Sequence, residues 1–589
     1  MKMGNGTFPV KRLVSIVLVL MFVMTACGQN SGGNQAQPTE AQTTTAAVAT
    51  TVTAAATTTT ASEAEKKASA DGPYGKFDPP ITITTIRNIS DREYMPGETW
   101  DNNIWTQAYE EILGITFDYI WTAQTDFNTR LNTAIATDDI PDFMNIPYDQ
   151  FAILATGNRL APLDDALKEY GIHNLHDGLD AHGGIMRAQV TFNGNVMGIG
   201  NPPSLEPPQL WYRDDWAAAV GRGKPETFED VLAMAVDFAT KDPNGTGTAT
   251  VGIGVSKDLF GGGMGLESLF SAYGAYPQLW VEENGELIFG FMQEDKIKEP
   301  LRVLQDLFRQ KAIDPDFMNI GTWDMAPDDI VKEKIGMVLG PIWFGDWKLS
   351  ALMEARGDDT ATWTCMVIPS LAGGPVNLQP VRGKLNQVVC ANAKMKYPEA
   401  VVKLLNLGTA LIRGDLAEGK YHNQPNPNEP DRVVNNFFHN LTTDTGGDGT
   451  SWNYICALAV TKALETGDTS ELNDEQMSYY ERSKGWMDRT NLSGYTSFSI
   501  FGPGGSQYVG EEIRQKSLYY MEPYYGPSTE TMNENIGNIN SKRNEIITNI
   551  ILGGDVDAGF QEFVNYWNAN YGDVITKEVN EWYQNEKSK

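Results

Sequence analysis

The chain has 589 residues, 41% of them hydrophobic and 10% aromatic, and a formal net charge of −31. Such proportions are those of a globular protein, and the length exceeds what one hydrophobic core serves, so two or more lobes are expected. The acidity excludes a nucleic-acid surface, which needs a basic face, and is read as a source of solubility.

In chain order, Lys2, Lys11 and Arg12 precede an almost wholly apolar run from Val14 to Met24. That is the layout of a secretory signal peptide, and the run falls short of the roughly 20 apolar residues that span a bilayer. It closes on Met24-Thr25-Ala26-Cys27, which resembles a bacterial lipobox. The resemblance implies a signal peptide over 1–26, acylation (palmitate) of the Cys27 thiol, and a protein held at the outer face of a membrane. Loss of the leader removes three basic residues and no acid, which takes the charge to −34. Residues 27–72 are mostly Thr, Ala, Ser, Gln and Gly. They cannot bury enough surface to offset their ordering entropy, and are expected to form a disordered tether ahead of a folded part over 73–589.

ITITTIRN (81–88) alternates and is β-branched, which predicts a strand. Ile104, Ala108 and Ile112 then stand at helical spacing, and ITFDYI reads as a second strand. FNTRLNTAIATDD follows as a helix, PDFMNIP as a short strand, and RLAPLDDALKEY as a loop entering a helix. This alternation is an α/β signature. TFNGNVMGIG predicts a hairpin with Asn-Gly at its turn. In PETFEDVLAMAVDF, Thr227 is placed to cap a helix whose apolar stripe is Phe228, Val231, Leu232, Ala235 and Phe238.

The order GNVMGIGNPP, LWYRDDW, GKPETFEDVLAMAVDF, IGMVLGPIWFGDW, CMVIPSLAGG, LNQVVCANAKMKYPEAVVKLLN resembles the extracellular solute-binding lipoproteins of bacterial ABC importers, in their sugar-binding branch. The closing TETMNENIGNINSKRNEIITNIILGG and YGDVITKEVNEWY are similar to the long lipoprotein subgroup of Gram-positive bacteria. The resemblance implies a two-lobed α/β fold of the type II periplasmic-binding-protein kind. The first lobe would hold about 79–203 and part of the chain after 385, and the second about 212–380 with part of the C-terminal helices. It implies a monomer that closes on a carbohydrate and hands it to ABC permease subunits, with no reaction of its own and no cofactor. A surface-anchored glycoside hydrolase is the alternative, since two carboxylates at a defined separation leave no trace in sequence spacing.

Sugars present hydroxyl edges and apolar C–H faces, so their sites combine aromatic platforms with hydrogen-bonding side chains. Trp343 follows a strand and a Gly-Pro turn, where the resembling proteins place an aromatic over a sugar ring. Arg87 and Asn88 at the end of the first strand, Trp100 and Asn102 in the next loop, and Tyr148 and Asp149 after PDFMNIP are further candidates. Arg382 near the return crossing and Tyr508 beyond a Gly-Pro-Gly-Gly turn complete the set. DLFGGGMGLE lacks the Lys-Ser/Thr of a nucleotide loop. DPNGTGTAT has the first residues of a calcium loop, yet Thr250 and Ile253 stand where acids belong, so a plain turn is expected. No metal spacing is present, and Cys365, Cys390 and Cys456 are read as buried free thiols.

Overall fold

A computed structural model describes residues 69–588 apart from 90–91, 201–207, 322–325, 347, 373–377, 415 and 443–450. The leader, Cys27 and the tether as far as Ala68 lie outside the described residues. The strands that build the two main sheets and their connection are β1 (Ile81–Asn88), β2 (Ile115–Ala123), β3 (Phe143–Pro147), β4 (Gly198–Gly200), β5 (Gln209–Arg213), β6 (Met337–Gly340), β7 (Trp363–Met366), β8 (Gln379–Val381), β9 (Gln387–Ala391) and β10 (Tyr519–Met521).

The first sheet has the order β2-β1-β3-β9-β4. β1 runs parallel to β2 and β3, and β9 is antiparallel to both of its neighbours. β-branched Ile and Thr suit this pleat; Ile83, Thr85 and Ile86 are buried. A core of Phe143, Ile146, Phe151, Leu154, Val388 and Leu404 surrounds the sheet. The second sheet is β6-β5-β7, antiparallel throughout. Every residue of β5 is buried, as expected of a central strand covered on both faces. Its cores include Trp216, Phe228, Phe238 and Met337 on one side and Trp211, Phe344 and Trp363 on the other.

Local signals act as read. Thr227 Oγ1 accepts from the Asp230 amide at 3.1 Å while the Asp230 carboxylate accepts from the Thr227 amide at 3.0 Å, a complete capping box for the helix Phe228–Thr240. Asn193 (φ 51°) and Gly194 (φ 80°) turn the hairpin between Thr191–Phe192 and Asn195–Val196, with both central residues at positive φ as a type I′ turn needs.

The helix after β1 starts at Ile104, widens into a π-helical turn over Tyr109–Leu113, and buries Trp105, Ala108, Tyr109 and Leu113, with Ile104 and Ile112 partly buried against the same core. A spacing of four residues overshoots an α-helical turn of 3.6; the wider turn returns Trp105, Tyr109 and Leu113 to one side. The two rings are also held by polar tips: Trp105 Nε1 donates to the Asn436 carbonyl at 2.7 Å and Tyr109 OH to Asn440 Oδ1.

Two helical layers complete the second lobe. Glu530–Ile551, Val556–Ala569 and Gly572–Lys587 join its core through Ile546, Phe563 and Trp567. Trp452–Thr466, Asp474–Met487, Tyr495–Phe501 and Ser506–Gln515 cover the end of the sheet, where Tyr495 OH donates to the Trp363 carbonyl at 3.0 Å. Cys390 and Cys456 are buried, Cys365 is partly exposed, and all three are unpaired; burial pushes the Cys365 thiol up to about 12.

Candidate functional site

The topology locates the crevice. β9 pairs its first residue, Gln387, with Pro147 at the carboxyl end of β3, and Val388 with Gly200 at the carboxyl end of β4. In the second sheet Gln209, the first residue of β5, pairs with Gly340 at the carboxyl end of β6, and Leu210 with Met366 at that of β7. The chain therefore leaves the first sheet and enters the second at these edges. Open α/β sheets bind ligands beyond the carboxyl ends of their strands.

On the second lobe, Pro341 leads β6 into a tight turn, Ile342–Asp346. Ile342 and Phe344 point inward as anchors, Phe344 lying 5.3 Å from Trp211 and 5.2 Å from Trp363 between ring centres. Trp343 between them is half-buried, its ring 6.2 Å from Phe501, which stacks face to face on Tyr479 at 3.8 Å. Asp346 is exposed at the end of this turn, and loss of hydration raises its carboxyl to about 6 against the pull of Arg482.

On the first lobe, Asn88 is exposed at the end of β1. Arg87 is buried and forks between two carbonyls, those of Trp100 and of His439, the latter at 2.7 Å. Its place is structural support: it holds the loop that carries Trp100, whose ring meets Tyr119 edge-on at 4.9 Å. Asn102 is exposed and accepts from Gln107 Nε2 at 3.1 Å. Tyr148 does not face the crevice; the strand ends at Pro147, and the first helical residue turns its ring into the core, 6.1 Å from Phe151, with its hydroxyl on the Gln189 carbonyl. Asp149 is spent on Lys384 and Ser528. Arg382 is exposed beside the connection, where its charge is felt by Glu522 and Glu267. Tyr508 is half-buried and uses its hydroxyl to reach Thr461 Oγ1 at 2.8 Å, bridging two helices.

Several groups here were not singled out from sequence. Trp121, near the end of β2, is covered by the Arg130 guanidinium at 4.8 Å, and Tyr94 stacks on His439 at 4.2 Å. Burial, with Arg87 and Arg92 nearby, lowers the His439 imidazole to about 4, so it is neutral near pH 7. Trp121 had a signal, an aromatic at the end of an alternating strand; the pairing of Tyr94 with His439 had none. In the DPNGTG loop Asp242 accepts from the Gly247 amide at 3.1 Å and Asn244 Oδ1 from Thr246 Oγ1 at 2.9 Å, so the side chains of a calcium loop close their own turn. Among the described residues no group of three or more His, Cys, Asp or Glu is placed to hold a metal ion.

Comparison with known proteins bears on this geometry. The family profile described as bacterial extracellular solute-binding protein matches residues 94–410. Lipoprotein LipO of Bacillus subtilis (strain 168) is 23% identical over 501 residues, covering 82% of this chain and 89% of LipO. The polygalacturonan/rhamnogalacturonan-binding protein YtcQ of the same organism is 22% identical over 212 residues, covering 35% of this chain and 41% of YtcQ. The solved structure of the Streptococcus pneumoniae ABC-transporter substrate-binding protein FusA in complex with kestose aligns with a TM-score of 0.54 at 16% identity, covering 86% of this chain and 100% of FusA. That likeness shows the two-lobed α/β fold.

Proposed function

The chain belongs to the family of bacterial extracellular solute-binding proteins, and on that premise we propose that it captures a carbohydrate between its lobes for delivery to an ABC permease, without chemistry of its own. The observation that supports the reading is Trp343, half-buried on the turn after β6 while the other apolar side chains of that turn, Ile342 and Phe344, are buried. An indole so held would offer a flat apolar face to the C–H side of a sugar ring, and Asp346 on the same turn and Asn88 and Trp100 on the first lobe are the further polar and aromatic groups we assign to the ligand. The names of YtcQ, a polygalacturonan/rhamnogalacturonan-binding protein, and of FusA, a fructooligosaccharide ABC transporter substrate-binding protein, favour an oligosaccharide. We further propose that the protein is a monomer held at the outer face of the membrane through acylated Cys27.

The test is a thermal-shift screen against galacturonan fragments, fructooligosaccharides and other plant and wall oligosaccharides, followed by calorimetry on the hits. A ligand at 100 times its dissociation constant stabilises the folded state by about 2.7 kcal/mol, a shift the screen resolves. Binding without product after prolonged incubation is the expected result. Turnover would overturn the binding-protein reading in favour of a hydrolase.

A further inference from the structure

The strongest unassigned feature is the way the chain is clamped where it crosses between the lobes. On its second-lobe side the return segment is fixed by Ser268 Oγ, which donates to Gln379 Oε1 at 2.6 Å, and by Tyr276 OH, which donates to the Leu378 carbonyl at 3.2 Å. On its first-lobe side it is fixed by the buried Gln189 amide. Gln189 Nε2 donates to the Gly383 carbonyl at 2.9 Å and Gln189 Oε1 accepts from the Leu385 amide at 2.8 Å. Only Pro380, Val381 and Arg382 lie between the two clamps, the first two of them in the parallel pair β8·β10. A Cβ on Gly383 would sit 2.4 Å from the Glu522 carbonyl oxygen, so the two crossing strands touch there backbone to backbone.

Asp149 stands against this junction. Its Oδ1 accepts from Lys384 Nζ at 2.6 Å and from the Ser528 amide at 2.9 Å, and its Oδ2 from Ser528 Oγ at 3.0 Å; Lys384 Nζ also reaches Ser528 Oγ at 3.0 Å. Asp149 begins a helix of the first lobe, whereas Ser528 lies between Tyr524 and Met532, both in the second lobe's core. One carboxylate thus ties the two lobes together a few residues from the crossing.

We propose that Asp149 is a positioning residue whose clasp on Lys384 and Ser528 sets the resting angle between the lobes, with Pro380–Arg382 as the pivot. A rotation about the pivot changes the Asp149–Ser528 separation, so the clasp must yield or hold as the lobes move. The proposal rests on the capture reading for its purpose, but its test uses no ligand and so succeeds or fails independently of which solute binds.

Spin labels introduced through unnatural amino acids at Ala136 and Glu229, exposed positions on helices of the two lobes, report the inter-lobe distance in the ligand-free protein. Asp149→Ala should move and broaden the distance distribution with little change in melting temperature. Asp149→Asn, which keeps an acceptor for the Ser528 amide but loses the charge facing Lys384, should lie between it and wild type. Wild type in 1 M salt, where the Debye length is about 3 Å, should shift in the same direction, because both charges are partly exposed. If Asp149→Ala fails to fold, Lys384→Met makes the same test. A folded variant with the wild-type distribution, or a lowered melting temperature with no change in distance, overturns the proposal.

Discussion

Trp343 and Glu522 show how one side chain's surroundings decide what it can do. Trp343 keeps part of its ring free while Ile342 and Phe344 hold the turn. Aromatic contacts contribute about 0.5 to 1.5 kcal/mol beyond area burial, and a large apolar side chain about 1.5 to 3 kcal/mol when fully covered. Trp343→Ala should therefore weaken binding of a ligand found by screening by roughly tenfold to a few hundredfold. Its melting temperature should fall far less than the 3 to 5 kcal/mol typical of an emptied Trp site in a core implies. Calorimetric titration and ligand-free melting on the one variant read both. Glu522 is buried in the connection, accepts from the Trp280 amide at 2.8 Å, and is raised by burial to about 7 despite Arg382 and Lys384. Its folded state holds the proton that an unfolded carboxyl, near 4.5, has already lost. Stability from this group is therefore full below about 4.5 and fades as pH rises through about 7. Glu522→Gln, which keeps the acceptor and cannot ionise, should be more stable than wild type at pH 8 by up to about 3 kcal/mol and level with it near pH 4; denaturant melts at the two pH values give the comparison.

At the scale of elements, the capped helix Phe228–Thr240 and the widened helix after β1 make a contrast. The first is specified locally: both halves of its capping box lie within four residues. Thr227→Ala should cost about 1 kcal/mol of unfolding free energy, measured in urea, and leave ligand affinity unchanged because the cap lies away from the crevice strands. The second begins with its own box, Asn103 with Thr106, but its π turn answers to partners more than 300 residues away, Asn436 and Asn440. No local pattern encodes that widening.

At the scale of the whole molecule, the first described residues are fastened by the fully buried Lys403. That ammonium donates to the carbonyls of Ala70, Gly72 and Gly75 at 3.1, 2.8 and 3.2 Å. If Cys27 is the anchor, Cys27→Ala should abolish incorporation of a fatty-acid label and release the protein from membranes; label retained on the variant would exclude a lipid at that residue. The α/β alternation, the capped helix, the Asn-Gly hairpin and the family resemblance were all legible in the chain, because each rests on neighbours within one or two turns or on an ordered run of motifs. The duties of the candidate site residues were not. Arg87, Tyr148, Asp149 and Tyr508 all sit at strand or helix ends, as a site residue would. Each is turned by distant partners, the His439 carbonyl, the Gln189 carbonyl, Ser528 and Thr461, toward support of the scaffold. The chain by itself determined the α/β alternation, the capped helix and the hairpin that lead up to the junction of the two sheets. Only the tertiary structure decided which polar side chains at that junction remain for a ligand, because a hydrogen bond is satisfied by whatever donor or acceptor folding brings within 3 Å of it, at any distance along the sequence.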